Sequence, residues 1–331
     1  MLNNIRSLTR LFFLLLRRKT ITPLRLFNFC QVGFSYIFKT TKVYGVPPAL
    51  MIEHTAACNL KCPVCPTGNG TLTRNVGQMR LDQFKNIIDE IGDRIFHITL
   101  WGYGEPYIAR DINEMVAYAK TKNIFVRTST NGHFFTTQEE VEAVVDSGLD
   151  NLIVALDGAT QESLVKYRIG ADFDEIVAGM KAIVQAKKDR GVDFPFVELQ
   201  YIVMDHNEHE IPAARELAKE IGVDRLTLKS TLRLNDDLQN ERFGRGLKEN
   251  KVCSRVWFST VINWDGTINP CCYDANGHFT FGRVNADTNT TFKDVWNGES
   301  FVSFREKSKR DKNSIDMCRG CHGSFATLNV E

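Results

Sequence analysis

The sequence predicts an α/β chain, a partial (β/α)6 barrel followed by a small cysteine-rich domain. Strand-like apolar runs alternate with amphipathic helical patterns from residue 49 to about 229. The texture changes after about residue 245, and five of the nine cysteines lie beyond that point. With 331 residues, 43% hydrophobic and 24% charged, the chain is globular rather than disordered, and long enough for two domains.

Residues 1–48 read as a basic, amphipathic helical segment. Leu2, Ile5, Leu8, Leu11, Phe12, Leu15 and Leu16 share one face of a helix over 2–17, with Arg6, Arg10 and Arg17 on the other. Thr22-Pro23 predicts a cap and first helical position, followed by a strongly apolar stretch over 24–38. Two readings stand: helices packed on the body, or an apolar wedge with a basic face on an anionic membrane. The run 11–16 is too short for a membrane span or a secretory core, so the chain is expected in the cytoplasm, peripheral to the membrane on the second reading. Nine cysteines in a reducing compartment then suggest metal or catalysis rather than disulfides.

The barrel is expected over 49–245. Its strands are predicted at 49–54, 95–101, 124–129, 151–155, 196–203 and 225–229, and its helices at 81–91, 112–122, 137–147, 173–188 and 208–221. Such alternation implies parallel strands with right-handed crossovers and ligands at the strands' carboxyl ends. The third domain, 246–331, opens with a hairpin around Asp265-Gly266 and later carries an amphipathic stretch over 292–307. A small, loop-rich region so rich in thiols is expected to be organised by metal.

Charge narrows the partners. The first 52 residues hold eight basic groups and no acidic one, leaving 33 basic against 40 acidic in the rest. A body with that balance repels phosphate, so no nucleic-acid partner is expected.

Cys58, Cys62 and Cys65 form a Cys-x3-Cys-x2-Cys run just after the first predicted strand. Chance gives this spacing in fewer than about one such chain in a hundred. Three thiolates on one loop hold three irons of a [4Fe–4S] cluster and leave the fourth open. A zinc loop completed by His54 or a distant thiol is the alternative. Here the sequence resembles the radical S-adenosylmethionine superfamily. The resemblance implies that the open iron binds the methionyl group of S-adenosylmethionine and that cluster reduction gives a 5′-deoxyadenosyl radical.

Further motifs extend the likeness. Tyr103-Gly104-Glu105-Pro106 resembles the family's Gly-Gly-Glu-Pro, whose backbone receives the methionine amine, with Tyr103 in place of the first glycine. Ser129-Thr130-Asn131-Gly132 resembles the segment that meets the ribose. Leu156-Asp157-Gly158 ends the fourth strand, and Arg168 stands where the family has an arginine near the cofactor. Tyr103, Gly104, Glu105, Ser129, Asn131 and Arg168 are therefore the expected cofactor contacts. Asn131 and Arg168 also read, without the resemblance, as a turn residue and a solvated charge.

Cys253, Cys271, Cys318 and Cys321 form the second group. The spacing Cys253-x12-Gly266-x4-Cys271 and the pair Cys318-x2-Cys321 resemble a SPASM auxiliary-cluster domain in its shortened, twitch form. The resemblance implies one auxiliary [4Fe–4S] cluster, with a zinc tetrathiolate as the alternative. Cys30 and Cys272 are left as packing residues.

These readings imply an enzyme that cleaves S-adenosylmethionine, needs a reductant such as flavodoxin or ferredoxin, and abstracts hydrogen from a substrate. The expected outcome is two-electron oxidation of a small molecule: a sugar, cyclitol or lipid-linked precursor. Peptide modification is the enzyme alternative, and an electron-transfer or zinc-binding scaffold the non-enzyme one. No catalytic base is legible.

Overall fold

The computed structural model describes residues 16–229, 252–284, 289–319 and 321. The predicted helix over 2–17 lies almost wholly outside these residues, as does the expected domain boundary near 245.

Helix α1 (Pro23–Ile37) starts as predicted, with the Thr22 hydroxyl accepting from the Arg25 amide and Pro23 in the first turn. The alternating units follow: β1 (Ala49–Ile52), α2 (Leu81–Ile91), β2 (His97–Thr99), α3 (Ile112–Thr121), β3 (Phe125–Thr130), α4 (Gln138–Asp146) and β4 (Asn151–Ala155). A short α5 (Gln161–Val165), not anticipated, precedes α6 (Phe173–Asp189), β5 (Phe196–Ile202), α7 (Ile211–Ile221) and β6 (Arg225–Lys229). Helix α4 begins with a full capping box between Thr137 and Glu140, and α7 ends on Gly222 in the left-handed region.

The strands β1 to β6 pair parallel in sequence order, and each crossover carries at least one helix. β4 is buried along its whole length, as expected of a strand covered on both faces.

The hairpin expected to open the third domain is present, and its pairing was not anticipated: it extends the barrel's own sheet. After α8 (Arg255–Phe258), strand β7 (Ser259–Ile262) pairs parallel with β1, matching Ala49 to Ser259 and Ile52 to Ile262. β8 (Ile268–Asn269) then pairs antiparallel with β7, so among the described residues the sheet runs β6-β5-β4-β3-β2-β1-β7-β8. The stretch expected over 292–307 is two helices, α9 (Phe292–Trp296) and α10 (Glu299–Asp311). Buried Arg305 of α10 donates to the carbonyls of Val256, Thr41 and Trp296, fastening α8, α9 and the chain after α1 together.

Candidate radical and iron–sulfur site

Every loop singled out by sequence lies at the carboxyl end of its strand. The three-cysteine loop follows β1 and is pinned from several sides. The Lys61 amide donates to the Ile169 carbonyl at 3.0 Å, and the Cys65 amide to the Cys62 carbonyl at 3.2 Å. Gly68 lies so close to the backbone that an added Cβ would stand 2.5 Å from the Cys62 nitrogen. The thiols are therefore held on a constrained arch. Burial pushes the Cys58 thiol up and the Cys62 thiol up to about 11, with the Arg168 charge opposing the rise. Binding metal removes that cost, because the ligand is the thiolate.

The loop after β2 packs directly on the cysteine arch. The Glu105 amide donates to the Ala57 carbonyl at 2.7 Å, and a Cβ on Gly104 would stand 2.3 Å from the Thr55 carbonyl oxygen. Only glycine permits that approach. The Tyr103 carbonyl oxygen lies 4.0 Å from the Cys65 sulfur.

Glu105 points inward. Its carboxylate accepts from the Thr130 hydroxyl at 2.7 Å, the Asn131 amide at 2.7 Å and the Tyr107 amide at 3.0 Å. Burial lifts it to about 7 against those three donors. Its role is thus to tie the ends of β2 and β3 together rather than to face a ligand with its side chain.

Asn131 is buried, and its side-chain amide donates to the Asn59 side chain of the cysteine arch at 2.7 Å. Arg168 is not a solvated charge. It is ion-paired with buried Asp157 at 2.6 Å, and Asp157 also accepts from the Ile202 amide at 2.7 Å. Burial works against the Arg168 charge, but Asp157 and Cys62 hold it above its ordinary range. Ser129 is half-buried within β3, and its neighbour Thr130 makes the contact to Glu105.

Sequence reasoning missed Glu53 and Arg74. Arg74 donates to both Glu53 carboxylate oxygens, at 2.6 and 2.5 Å, while Glu53 accepts from the Tyr103 amide at 3.0 Å. The same guanidinium donates to the Ala275 carbonyl at 2.6 Å, so it clamps the mouth to the loop after β8. A glutamate ending the apolar run Leu50-Met51-Ile52 was the available signal.

Cys253, Cys271, Cys318 and Cys321 line one pocket, together with Arg255 and Lys312. They come from three separated segments, and the Cys321 amide donates to the Cys318 carbonyl at 3.0 Å. Burial pushes Cys318 up to about 12 and raises Cys253. Four thiols with two cations at hand suit a negatively charged, fully ligated cluster. Among the described residues no three such side chains converge on a single ion, whereas a cuboidal cluster spreads its ligands over separate irons. Cys272 is not a mere packing residue: Arg255 donates to its sulfur at 3.5 Å, and its carbonyl accepts from the Tyr103 hydroxyl at 2.6 Å. Cys30 is exposed on α1 rather than packed.

An open parallel sheet with a three-thiol arch at its mouth and a four-thiol pocket beside it defines an iron–sulfur enzyme. The chain belongs to the Radical SAM superfamily, whose family model matches residues 52–218, and an iron–sulfur cluster-binding SPASM domain matches residues 253–322. It accordingly uses a [4Fe–4S] cluster with S-adenosylmethionine, carries an auxiliary iron–sulfur cluster rather than zinc, and requires a reductant.

Among curated proteins it is similar to the AdoMet-dependent heme synthase of Methanosarcina barkeri, 33% identical over 54% of this chain. The chain spans about half of that relative, 49%. It is also similar to mycofactocin maturase MftC of Mycobacterium tuberculosis, 27% identical over 83% of this chain and 75% of the relative. Among solved structures, SuiB of Streptococcus suis matches with a TM-score of 0.63 at 14% identity, covering 88% of this chain and 75% of SuiB. BtrN matches with a TM-score of 0.52 at 17% identity, covering 86% and 98%. No described helix is long and apolar enough to cross a membrane.

Proposed function

We propose that this protein modifies a peptide by radical hydrogen abstraction, with Cys58, Cys62 and Cys65 holding the cluster that works with S-adenosylmethionine. The observation that carries the substrate class is the company the chain keeps. Its relatives include a PqqA peptide cyclase, 24% identical over 56% of this chain, and SuiB has been solved with its precursor peptide. This weighs against the small molecule expected from sequence, although BtrN was solved with AdoMet and 2-DOIA.

When bound, the open cluster and S-adenosylmethionine supply a nucleoside radical, and the protein's part is to aim it and keep water away. The backbone at Tyr103 and Gly104 would face the methionyl group, with Glu105 bracing that loop from behind. Asn131 and Arg168 would position the nucleoside, the first held by Asn59 of the cysteine arch and the second by Asp157 just past β4. Cys253, Cys271, Cys318 and Cys321 would ligate the auxiliary cluster. We assign the protein to the cytoplasm, with flavodoxin or ferredoxin as reductant, because thiols meant for metal persist unoxidised in reducing surroundings.

The test is anaerobic turnover of the reconstituted full chain with short peptides encoded beside its gene. Peptide-stimulated 5′-deoxyadenosine, and a peptide product lighter by two hydrogens, is the expected result. Turnover of polyols or sugars with every peptide inert would overturn the substrate class.

A further inference from the structure

Helix α1 is built inside out. The side chains it buries against the body are Arg25, Asn28, Val32 and Ser35, three of them polar. Arg25 donates to the carbonyls of Thr20, Gly92, Lys122 and Asn123 at 2.5–3.1 Å. Those at Gly92 and Lys122 end helices α2 and α3, where a cation complements the free carbonyls and the helix dipole. Asn28 donates to Val46 and Arg94 and accepts from the Val46 amide, and the Ser35 hydroxyl accepts from the Tyr44 amide. Three anchors of this kind, Arg25, Asn28 and Ser35, fix the helix's rotation.

The rotation so fixed turns one apolar stripe outward, while Val32 is buried and Phe29 and Tyr36 pack on Phe258. Leu24, Phe27, Phe34 and Phe38 follow helical spacing along one stripe, and Ile37 lies beside it. Phe27 is 59% exposed, Phe38 64% and Ile37 72%. The Phe34 ring centre lies 4.4 Å from that of Phe38 and 5.8 Å, edge to face, from that of Tyr44, itself 64% exposed, so these three rings form one cluster. An ordinary surface helix has the reverse arrangement.

The segment that bears the patch carries one sign of charge. Exposed Lys19 precedes α1, and exposed Lys39 and Lys42 follow it, while no acidic residue occurs from residue 1 to 52. Lysines bracketing an aromatic face match a surface that is apolar inside and anionic at its rim. Location agrees with this. The carbonyls that hold Arg25 precede β2 and β3, at the amino end of the sheet, whereas the cysteine arch follows the carboxyl end of β1.

We propose that α1 is a monotopic membrane-docking element that seats the barrel's base on an anionic lipid surface, with the cluster mouth facing away into the aqueous phase. A substrate then reaches the mouth without leaving water, and the membrane holds the enzyme rather than feeding it. This inference does not depend on the substrate class.

Cosedimentation of the full-length, cluster-loaded protein with phosphatidylcholine vesicles, alone or mixed with phosphatidylserine, tests it. Binding is expected to favour the mixed vesicles and to fall as salt rises. Replacing Phe27, Ile37 and Phe38 by serine should weaken partitioning on the order of a hundredfold, with iron content and melting temperature unchanged. Replacing Lys19, Lys39 and Lys42 by serine should remove the preference for the anionic vesicles, about tenfold or more at low salt. Equal binding by the serine variants and the parent would overturn the proposal, because another segment would then be the contact. A lipid-independent change in particle mass on substitution would also overturn it, showing that a second copy or another protein covers the patch.

Discussion

The two candidate cysteine groups are assembled by opposite routes. The first takes three thiols from eight consecutive residues, 58–65, and borrows its rigidity from strand ends that the barrel forms anyway. The second gathers four thiols across residues 253–321, with only Cys318 and Cys321 close in sequence. Closing so wide a loop costs more conformational entropy, so metal contributes more to holding that region than it does at the arch. The difference teaches which site the fold prepares in advance. On the proposed assignment, three ligands on a preformed arch would leave a position for a cofactor, whereas four ligands drawn from distant segments would close their cluster and fasten the chain.

The largest expected effect follows from removing the arch. Replacing Cys58, Cys62 and Cys65 by alanine should lower iron from about eight to about four per chain and abolish 5′-deoxyadenosine formation, as measured by iron assay and chromatography. The complementary pair, Cys318→Ala with Cys321→Ala, should also halve the iron. Here, however, slow cleavage of S-adenosylmethionine persists, and proteolysis becomes faster beyond β8 than in the barrel's sheet. Equal protease resistance at both regions would break the contrast between a prepared and a metal-fastened site.

Acid provides a smaller effect that bears on the arch. Buried His54 shares hydrogen through Nε2 with the Pro106 carbonyl at 2.8 Å, while its Nδ1 is buried without a partner. Burial lowers its pKa to about 4. Between about pH 6.5 and 4 the unfolded chain takes up a proton that the folded chain refuses. The His54 contribution to stability, roughly 3 kcal/mol, is therefore lost as pH falls through that window. Glu105, lifted to about 7, works in the opposite sense, so the His54 part is read as the difference between parent and variant. Denaturant titration at about pH 7 and about pH 5 should show His54→Gln, which keeps a donor to Pro106 without titrating, gaining stability relative to the parent as pH falls.

The smallest expected effect concerns the link between the groups. Tyr103→Phe removes one hydrogen bond, from the hydroxyl to the Cys272 carbonyl, at a cost of about 1 kcal/mol. Its melting temperature should fall by a few degrees with both clusters retained. A loss of the auxiliary cluster on this substitution would mean that the second site leans on the first more than its own ligands suggest.

Much of this was legible in the sequence because the signals were local. The predicted strands at 151–155 and 225–229 match β4 and β6, since period and turn residues are read within a few positions. The cysteine arch and the loops after β2 and β3 were legible for the same reason. The pairing of β7 with β1 was not, because the partners lie more than 200 residues apart and an apolar run does not name its neighbour. The Glu53–Arg74 clamp and the Asp157–Arg168 pair were hidden likewise, each joining groups whose closeness exists only after folding. Helix α1 shows the converse. Its composition was plain, but which face turns outward is decided by where Arg25 and Asn28 find their carbonyls.

The measurement that bears most directly on the open and closed clusters is electron paramagnetic resonance of the reduced, reconstituted full chain, with and without S-adenosylmethionine. The account predicts two [4Fe–4S] signals, of which one shifts when S-adenosylmethionine is added. The shifting signal should be the one missing from the Cys58, Cys62 and Cys65 variant. A shift in the signal that survives that substitution, or in neither signal, would contradict the assignment of the open site to the three-cysteine arch.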